Sequence, residues 1–222
     1  MPNGIFFYYS YMINNEKILI LGGTQMIGRD FVDACIDKNI YPIIANRNIT
    51  NKNLFDKLNH ISIDRNDINK CKNLNNTYFN IVIDFSCYNI NQFLNTYTNI
   101  NCSHYIFIST LCSFDNRVLN DSSHWLHGYC KNKKTVEDHI IQNNITDISI
   151  VRPCVIYGKY DYTNRFYEKN NQIYWKHNNI LVKENKYYIP VRKFSHYLLE
   201  YVLSKNKDKI IHIDGTGTNI IK

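Results

Sequence analysis

The chain has 222 residues, 44% of them hydrophobic and 14% aromatic, which suits one globular domain with a real core and a small appendage. A formal net charge of +7 favours anionic ligands such as nucleotides, but the basic residues are dispersed, with no run of five or more, which argues against nucleic acid as the partner. The seven cysteines are odd in number and form no C-x-x-C, which argues against a metal site and for reduced thiols in a cytoplasmic protein.

The first eleven residues are unusually apolar, through Ile5, Phe6, Phe7, Tyr8 and Tyr9. They lack a basic leader region and are too short to span a membrane, so they read as a dispensable extension and not as an anchor. Lys17 to Leu21 is an aliphatic run, as expected for a strand buried on both faces of a parallel sheet. It passes into Gly22-Gly23-Thr24-Gln25-Met26-Ile27-Gly28 and then into a helix over about Ile27 to Lys38. Such a turn aims backbone N–H groups and the positive end of a helix dipole at a bound phosphate, and glycine lets that phosphate approach. A ligand-free tight turn explains the same residues, so the motif needs company.

A second strand near Tyr41 to Ala45 ends in Asn46-Arg47-Asn48. An acid at this tip accepts hydrogen bonds from both hydroxyls of an adenosine ribose, whereas an arginine pairs with a 2′-phosphate. Arg47 therefore favours NADP(H) over NAD(H), the alternative being a solvated loop arginine. His60 to Ile63 is a short strand followed by Asp64-Arg65-Asn66-Asp67 and a helix over Ile68 to Leu74. Ile81 to Phe85 is the next strand, ending at Ser86, then a helix over Asn89 to Tyr97, then a strand over Tyr105 to Ile108 with Ser109 and Thr110 at its end. This alternation predicts an α/β fold, a Rossmann-type doubly wound parallel sheet. Ligands gather at the carboxyl ends of such strands, where Gly22, Arg47, Asp64, Ser86 and Thr110 all fall.

A helix from about Tyr129 to Asn143 carries Tyr129 and Lys133 on one face. An ammonium beside a phenol lowers its pKa, which would let Tyr129 exchange protons near neutral pH. Ile148 to Val151 is the sixth strand. Beyond Gly158 the pattern loosens: one helix over Tyr160 to Lys176, short strands at Ile180 to Lys183 and Tyr188 to Val191, an amphipathic helix over Arg192 to Leu203, and a last strand at Ile210 to Ile213. The expected organisation is residues 1–16 as an extension, 17–158 as the dinucleotide-binding domain, and 159–222 as a small C-terminal substrate-binding lobe interleaved with the last sheet elements.

With these residues in place, the chain resembles the extended or atypical short-chain dehydrogenase/reductases, the NAD(P)-dependent epimerase/dehydratase family. The resemblance runs from Lys17 to about Gly217. It rests on the glycine turn at Gly22, Gly23 and Gly28, on Asp64 in D-R-N-D, on Ser109-Thr110, on Tyr129, Lys133 and Glu137 in Y-x-x-x-K-x-x-x-E, and on Arg152, Pro153, Tyr157 and Gly158 in R-P-x-x-x-Y-G. It implies Thr110, Tyr129 and Lys133 as catalytic residues. It implies a cofactor site of Gly22, Gly23, Thr24, Gln25, Met26, Ile27, Gly28, Arg47, Asp64, Phe85, Ser86, Lys133, Pro153 and Val155. Lys186 and Arg192 are expected to hold the diphosphate of a nucleotide sugar. The family's dehydratases carry an acid pair after the strand-end threonine, where this chain has Leu111 and Cys112, which leaves keto-sugar reduction or epimerisation. Lys193 stands where the family has an acid.

The implied function is an NAD(P)-dependent oxidoreductase or epimerase acting on a nucleotide-linked sugar. Two other readings stay open: a non-catalytic nucleotide- or RNA-binding protein of the same fold, and an NADP(H) redox sensor. Family members dimerise through the helix that bears the tyrosine. Val136, Ile140 and Ile141 would suit a homodimer face, or would pack on the sheet.

Overall fold

The computed structural model describes residues 16–177 and 179–221. The expectation for the first eleven residues lies outside the described residues. Among the described residues lie thirteen strands, β1 to β13, and six α-helices, α1 to α6. Eight strands form one sheet in the order β13-β12-β6-β5-β4-β1-β2-β3. These strands are β1 (Ile18–Leu21), β2 (Ile43–Asn46), β3 (His60–Ser62), β4 (Tyr78–Asp84), β5 (Asn101–Ile108), β6 (Ile148–Pro153), β12 (Ile210–Asp214) and β13 (Gly217–Ile221). Every pairing is parallel except β12 with β13, so the core of the sheet has the 3-2-1-4-5-6 order of doubly wound folds.

β1 shows why an unbroken aliphatic strand belongs at the centre. Ile18 and Ile20 enter the core beneath α1 (Met26–Asp37) and α6 (Val191–Ser204), with Phe31, Phe194 and Leu198. Leu19 and Leu21 face the other way, into a second core with Phe93 of α3 (Ile90–Tyr97) and with Val136 and Ile140 of α5 (His127–Gln142). Val136 and Ile140 thus pack on the sheet, and of the three residues considered for a dimer face only Ile141 is exposed.

Two short helices, α2 (Ile68–Cys71) and α4 (Asn116–Leu119), complete the helical set. Outside the large sheet stand a three-stranded sheet of β8 (Phe166–Lys169), β9 (Gln172–Trp175) and β10 (Ile180–Val182), and a parallel pair of β7 (Val155–Tyr157) with β11 (Tyr188–Pro190). The helix expected over Tyr160 to Lys176 is therefore a hairpin. Lys169 pairs with Gln172, and the two residues between, Asn170 and Asn171, have φ of 51° and 58°. Positive φ at both central positions is the type I′ geometry whose twist suits a two-residue hairpin. The last strand, β13, extends beyond the Ile210 to Ile213 strand expected as the end of the sheet. Among the described residues no helix is long and apolar enough to cross a membrane.

Candidate active site

A cleft of about 1460 Å³ opens at the carboxyl ends of β1 to β6, where the sheet order reverses between β1 and β4. Its inner wall is the glycine turn. Gly22 has φ +87°, and a Cβ there would lie 2.7 Å from the Ser86 Cβ. A Cβ on Gly28 would lie 2.2 Å from the Gly22 carbonyl oxygen, so α1 can start this close to β1 only with glycine. Met26 takes φ +34°, a conformation that costs an L residue energy and is tolerated where function requires it. Gln25 at the helix N-cap makes no side-chain cap, so the first amides of α1 face the cleft without a protein acceptor from that residue. Gly23 plays a different part from the one expected. It does not line the cleft; its missing side chain makes room for Ile20, Val32 and Ile44.

Gly28→Ala should therefore lower the melting temperature and abolish dinucleotide binding together, because the added methyl meets rigid backbone. A cooperative melt unchanged from the wild type, read by circular dichroism, would contradict this packing.

Thr24, Gln25, Met26, Ile27, Arg47, Asp64, Phe85, Ser86, Pro153 and Val155 all line the same cleft. Thr24 is tied to the β2 tip by Asn46, whose Nδ2 donates to the Thr24 hydroxyl at 3.2 Å, and by Asn51 Nδ2, which donates to its carbonyl at 2.7 Å. Arg47 is exposed at the rim and forms no ion pair among the described residues. The Asp64 carboxylate accepts from the Asn66 amide at 3.0 Å, which shapes the loop after β3.

Beneath this wall lies a residue that the motif reading passed over. Arg65 is buried and makes a bidentate pair with Asp84, at 2.6 and 2.7 Å. Its Nη1 also donates to Ser86 Oγ at 3.1 Å, and Tyr105 donates its hydroxyl to Asp84 at 2.5 Å. Burial works to raise the Asp84 pKa, but Arg65 and the hydrogen bonds outweigh it and hold the carboxyl below its ordinary value. The network fixes Ser86 against Gly22. The sequence signal was D-R-N-D directly after a strand, with a lone acid ending the β4 run.

The facing wall carries Thr110, Tyr129 and Lys133, and all three line the cleft. Thr110 follows β5, and its hydroxyl caps the short 3-10 turn Leu111–Phe114 by accepting from the Cys112 amide. Lys133 is buried and donates from Nζ to the Ile108 carbonyl at 2.6 Å. Burial lowers its pKa. Tyr129 sits one helical turn away, 38% exposed, with its ring centroid 5.9 Å from that Nζ. Its phenol is not lowered as expected. Burial raises it, and Tyr88 adds to the effect, while Lys133 is engaged at Ile108 instead. Glu137 secures this wall. Its carboxylate accepts from Ser109 Oγ, from Ser113 Oγ at 2.7 Å and from Arg152 Nε at 3.1 Å, which joins α5 to β5, the 3-10 turn and β6.

Lys186 is exposed and lines the cleft. Arg192 does not reach it. As the second residue of α6 it points to the outer face of α1, where it pairs with Asp37 and lies 3.7 Å from Asp30. Lys193, next to it, pairs with Glu184. Arg165, Trp125 and Trp175 also line the cleft and belong to no motif in the sequence. The expectation of reduced thiols fails at one pair, since Cys112 and Cys130 are joined by a disulfide. The fold brings together two cysteines that are 18 residues apart and share no motif. Among the described residues no group of three or more His, Cys, Asp or Glu is placed to hold a metal ion.

No family model matches the chain, and no curated protein matches it in sequence. Its fold, in contrast, is shared with many solved structures. It superposes on the UDP-glucose 4-epimerase of Thermotoga maritima, solved with UDP-glucose, with a TM-score of 0.65 at 13% identity, over 92% of this chain and 78% of that one. The oxidoreductase YlbE of Lactococcus lactis gives 0.64 at 13%, over 93% and 91%. The Bordetella bronchiseptica enzyme WbmF, solved in complex with NAD+ and UDP, gives 0.67 at 9%, over 94% and 75%. The chain has the Rossmann-type fold shared by these epimerase and oxidoreductase structures, as the ordered motifs led us to expect.

Proposed function

We propose that the chain is a nicotinamide-dinucleotide-dependent oxidoreductase or epimerase acting on a nucleotide-linked sugar, with NADP(H) preferred over NAD(H). The observation that carries this reading is one cleft with two unlike walls. One wall offers the uncapped amides of α1 behind Gly22 and Gly28, and the other offers Thr110, Tyr129 and Lys133. A dinucleotide fits the first wall: the glycine cradle admits a pyrophosphate, Asp64 and Arg47 stand where an adenosine would lie, and Phe85, Pro153 and Val155 line the path toward Tyr129.

When bound, the nicotinamide supplies hydride transfer to or from a sugar carbon. The protein's own groups manage the proton and the orientation. Tyr129 gives or takes a proton at its phenol oxygen, as general acid in reduction and general base in oxidation. Thr110 orients the substrate oxygen through its hydroxyl. Lys133, held at the β5 end by the Ile108 carbonyl, would donate to a ribose hydroxyl of the cofactor. Lys186, Arg165, the exposed ring of Trp125 and the half-buried ring of Trp175 provide charge and stacking surface, which suits a nucleoside diphosphate. A homodimer through α5 remains part of the proposal, with Ile141 as its exposed apolar contact.

A thermal-shift panel of NAD, NADP and the UDP-, dTDP- and GDP-linked sugars tests the reading. A ligand at 100 times its Kd contributes about 2.7 kcal/mol, which for a chain of this size is on the order of 5–10 °C in Tm. A rise with a dinucleotide and with at least one nucleotide sugar is the expected result. A cooperative melt that no dinucleotide moves would reject the proposal.

A further inference from the structure

The bridge between Cys112 and Cys130 has no part in the chemistry above, yet it lies in its midst. Cys112 is two residues after Thr110, and its Sγ is 3.5 Å from the Thr110 hydroxyl oxygen. Cys130 follows Tyr129 directly in α5. The two Cα atoms are 5.5 Å apart, within the span a disulfide requires. The bond therefore ties the strand-end threonine to the helix that carries the tyrosine. Its two ends differ in access. Cys130 is wholly buried, whereas Cys112 is part-exposed and lines the cleft. The five other cysteines are not bridged, and burial raises the pKa of every one of them, which keeps them as unreactive thiols near neutral pH.

We propose that Cys112–Cys130 is a reversible thiol–disulfide site that is opened from the cleft by attack on the Cys112 sulfur, and that a ligand occupying the cleft shields it. An incoming thiolate forms a bond to Cys112 Sγ as the Sγ–Sγ bond breaks, and the electron pair leaves on Cys130, which takes up a proton. A second thiolate then attacks the mixed disulfide and releases Cys112. In total the protein gains two electrons and two protons, and the reductant, a small or protein dithiol, becomes a disulfide. The direction follows from access, because the buried Cys130 sulfur cannot receive the attack. Thiol state and cleft occupancy are thereby linked through one surface.

The experiment uses the full chain, isolated without reductant, with thiols alkylated and mapped by mass spectrometry. Dithiothreitol under native conditions should open the bridge so that Cys112 and Cys130 become alkylated together, and oxidised glutathione should close it again. Cys130→Ser should accumulate a glutathione adduct on Cys112, whereas Cys112→Ser should leave Cys130 unmodified. Saturating NADPH or UDP should slow opening at least about fivefold. A pair that is never bridged, a bridge that opens only in denaturant, or an adduct on Cys130 instead of Cys112 overturns the proposal. If a serine variant fails to melt cooperatively, the wild-type kinetics with and without ligand decide alone. The shielding arm rests on the dinucleotide reading, and titration separates the two: failure of NADPH and UDP to bind counts against that reading, while binding without shielding counts against this site.

Discussion

Tyr129→Phe should lower kcat by about 10²–10⁴-fold while leaving the Kd for NADPH nearly unchanged. The change removes one oxygen and nothing else. Tyr129 lines the cleft together with Tyr88 and Tyr162, and the phenylalanine keeps the same ring there. The glycine turn and the β2 tip, on the other wall, are untouched. The pH profile adds a second check. Burial and the neighbouring tyrosines raise the phenol above its ordinary value. The protonated form therefore dominates through neutral pH, and reduction, which consumes that proton, should be flat there. Oxidation needs the phenolate and should accelerate as pH rises. Unchanged kcat in the variant, or oxidation that slows toward alkaline pH, would remove Tyr129 from the role of acid and base.

The second large effect belongs to Asp84. Asp84→Ala strands the Arg65 guanidinium in the core, and losing one partner of a buried pair costs about 3–5 kcal/mol. For a chain of this length that is a fall in Tm on the order of 10 °C. Dinucleotide affinity should fall as well, since Ser86 loses the support that holds it beside Gly22. Removing both charges with Asp84→Ala and Arg65→Leu should recover part of the stability, and the double-mutant cycle measures the coupling. A loss in the single variant within 1 °C of zero would show that the pair is dispensable.

Asp84 also sets an acid limit. Its folded pKa lies below the unfolded one, so its contribution is full above about pH 4 and is lost as pH falls through the folded value. His104 acts at higher pH. It is buried against Ser149 at 2.8 Å, and burial lowers its pKa to about 4. The unfolded chain binds that proton more readily, so stability declines from about pH 6.5 down to pH 4.

The parallel half of the fold was legible because its central strands, β1 above all, carry aliphatic runs with both faces buried. Ile18 to Leu21 has no polar alternation to confuse it, and Gly22 and Gly28 punctuate it where a Cβ would collide with Ser86 or with backbone. The lobe was less legible because its strands are amphipathic and rich in aromatic residues. Phe166 and Trp175 pack edge to face across the hairpin, while Glu168 and Lys169 face solvent. That mixture fits a helical period nearly as well as a two-residue one. The informative signal was Asn170-Asn171, since asparagine tolerates the positive φ that a two-residue turn demands. Arg192 was misplaced for a related reason. Its sequence neighbourhood says only that it starts a helix, and the packing of α6 on α1 decides that it meets Asp30 and Asp37 instead of the cleft. Tyr129 and Lys133 share a helix face, as their spacing predicts. The carbonyl of Ile108 that holds the ammonium comes from β5, 25 residues earlier, and no local pattern reveals it.

Titration of the folded protein with NADPH and NADH, followed by calorimetry, tests the central claim most directly. The account predicts one saturable site per chain, NADPH binding more tightly than NADH, and a difference that Arg47→Ala erases. Neither nucleotide binding to a protein that melts cooperatively would contradict it.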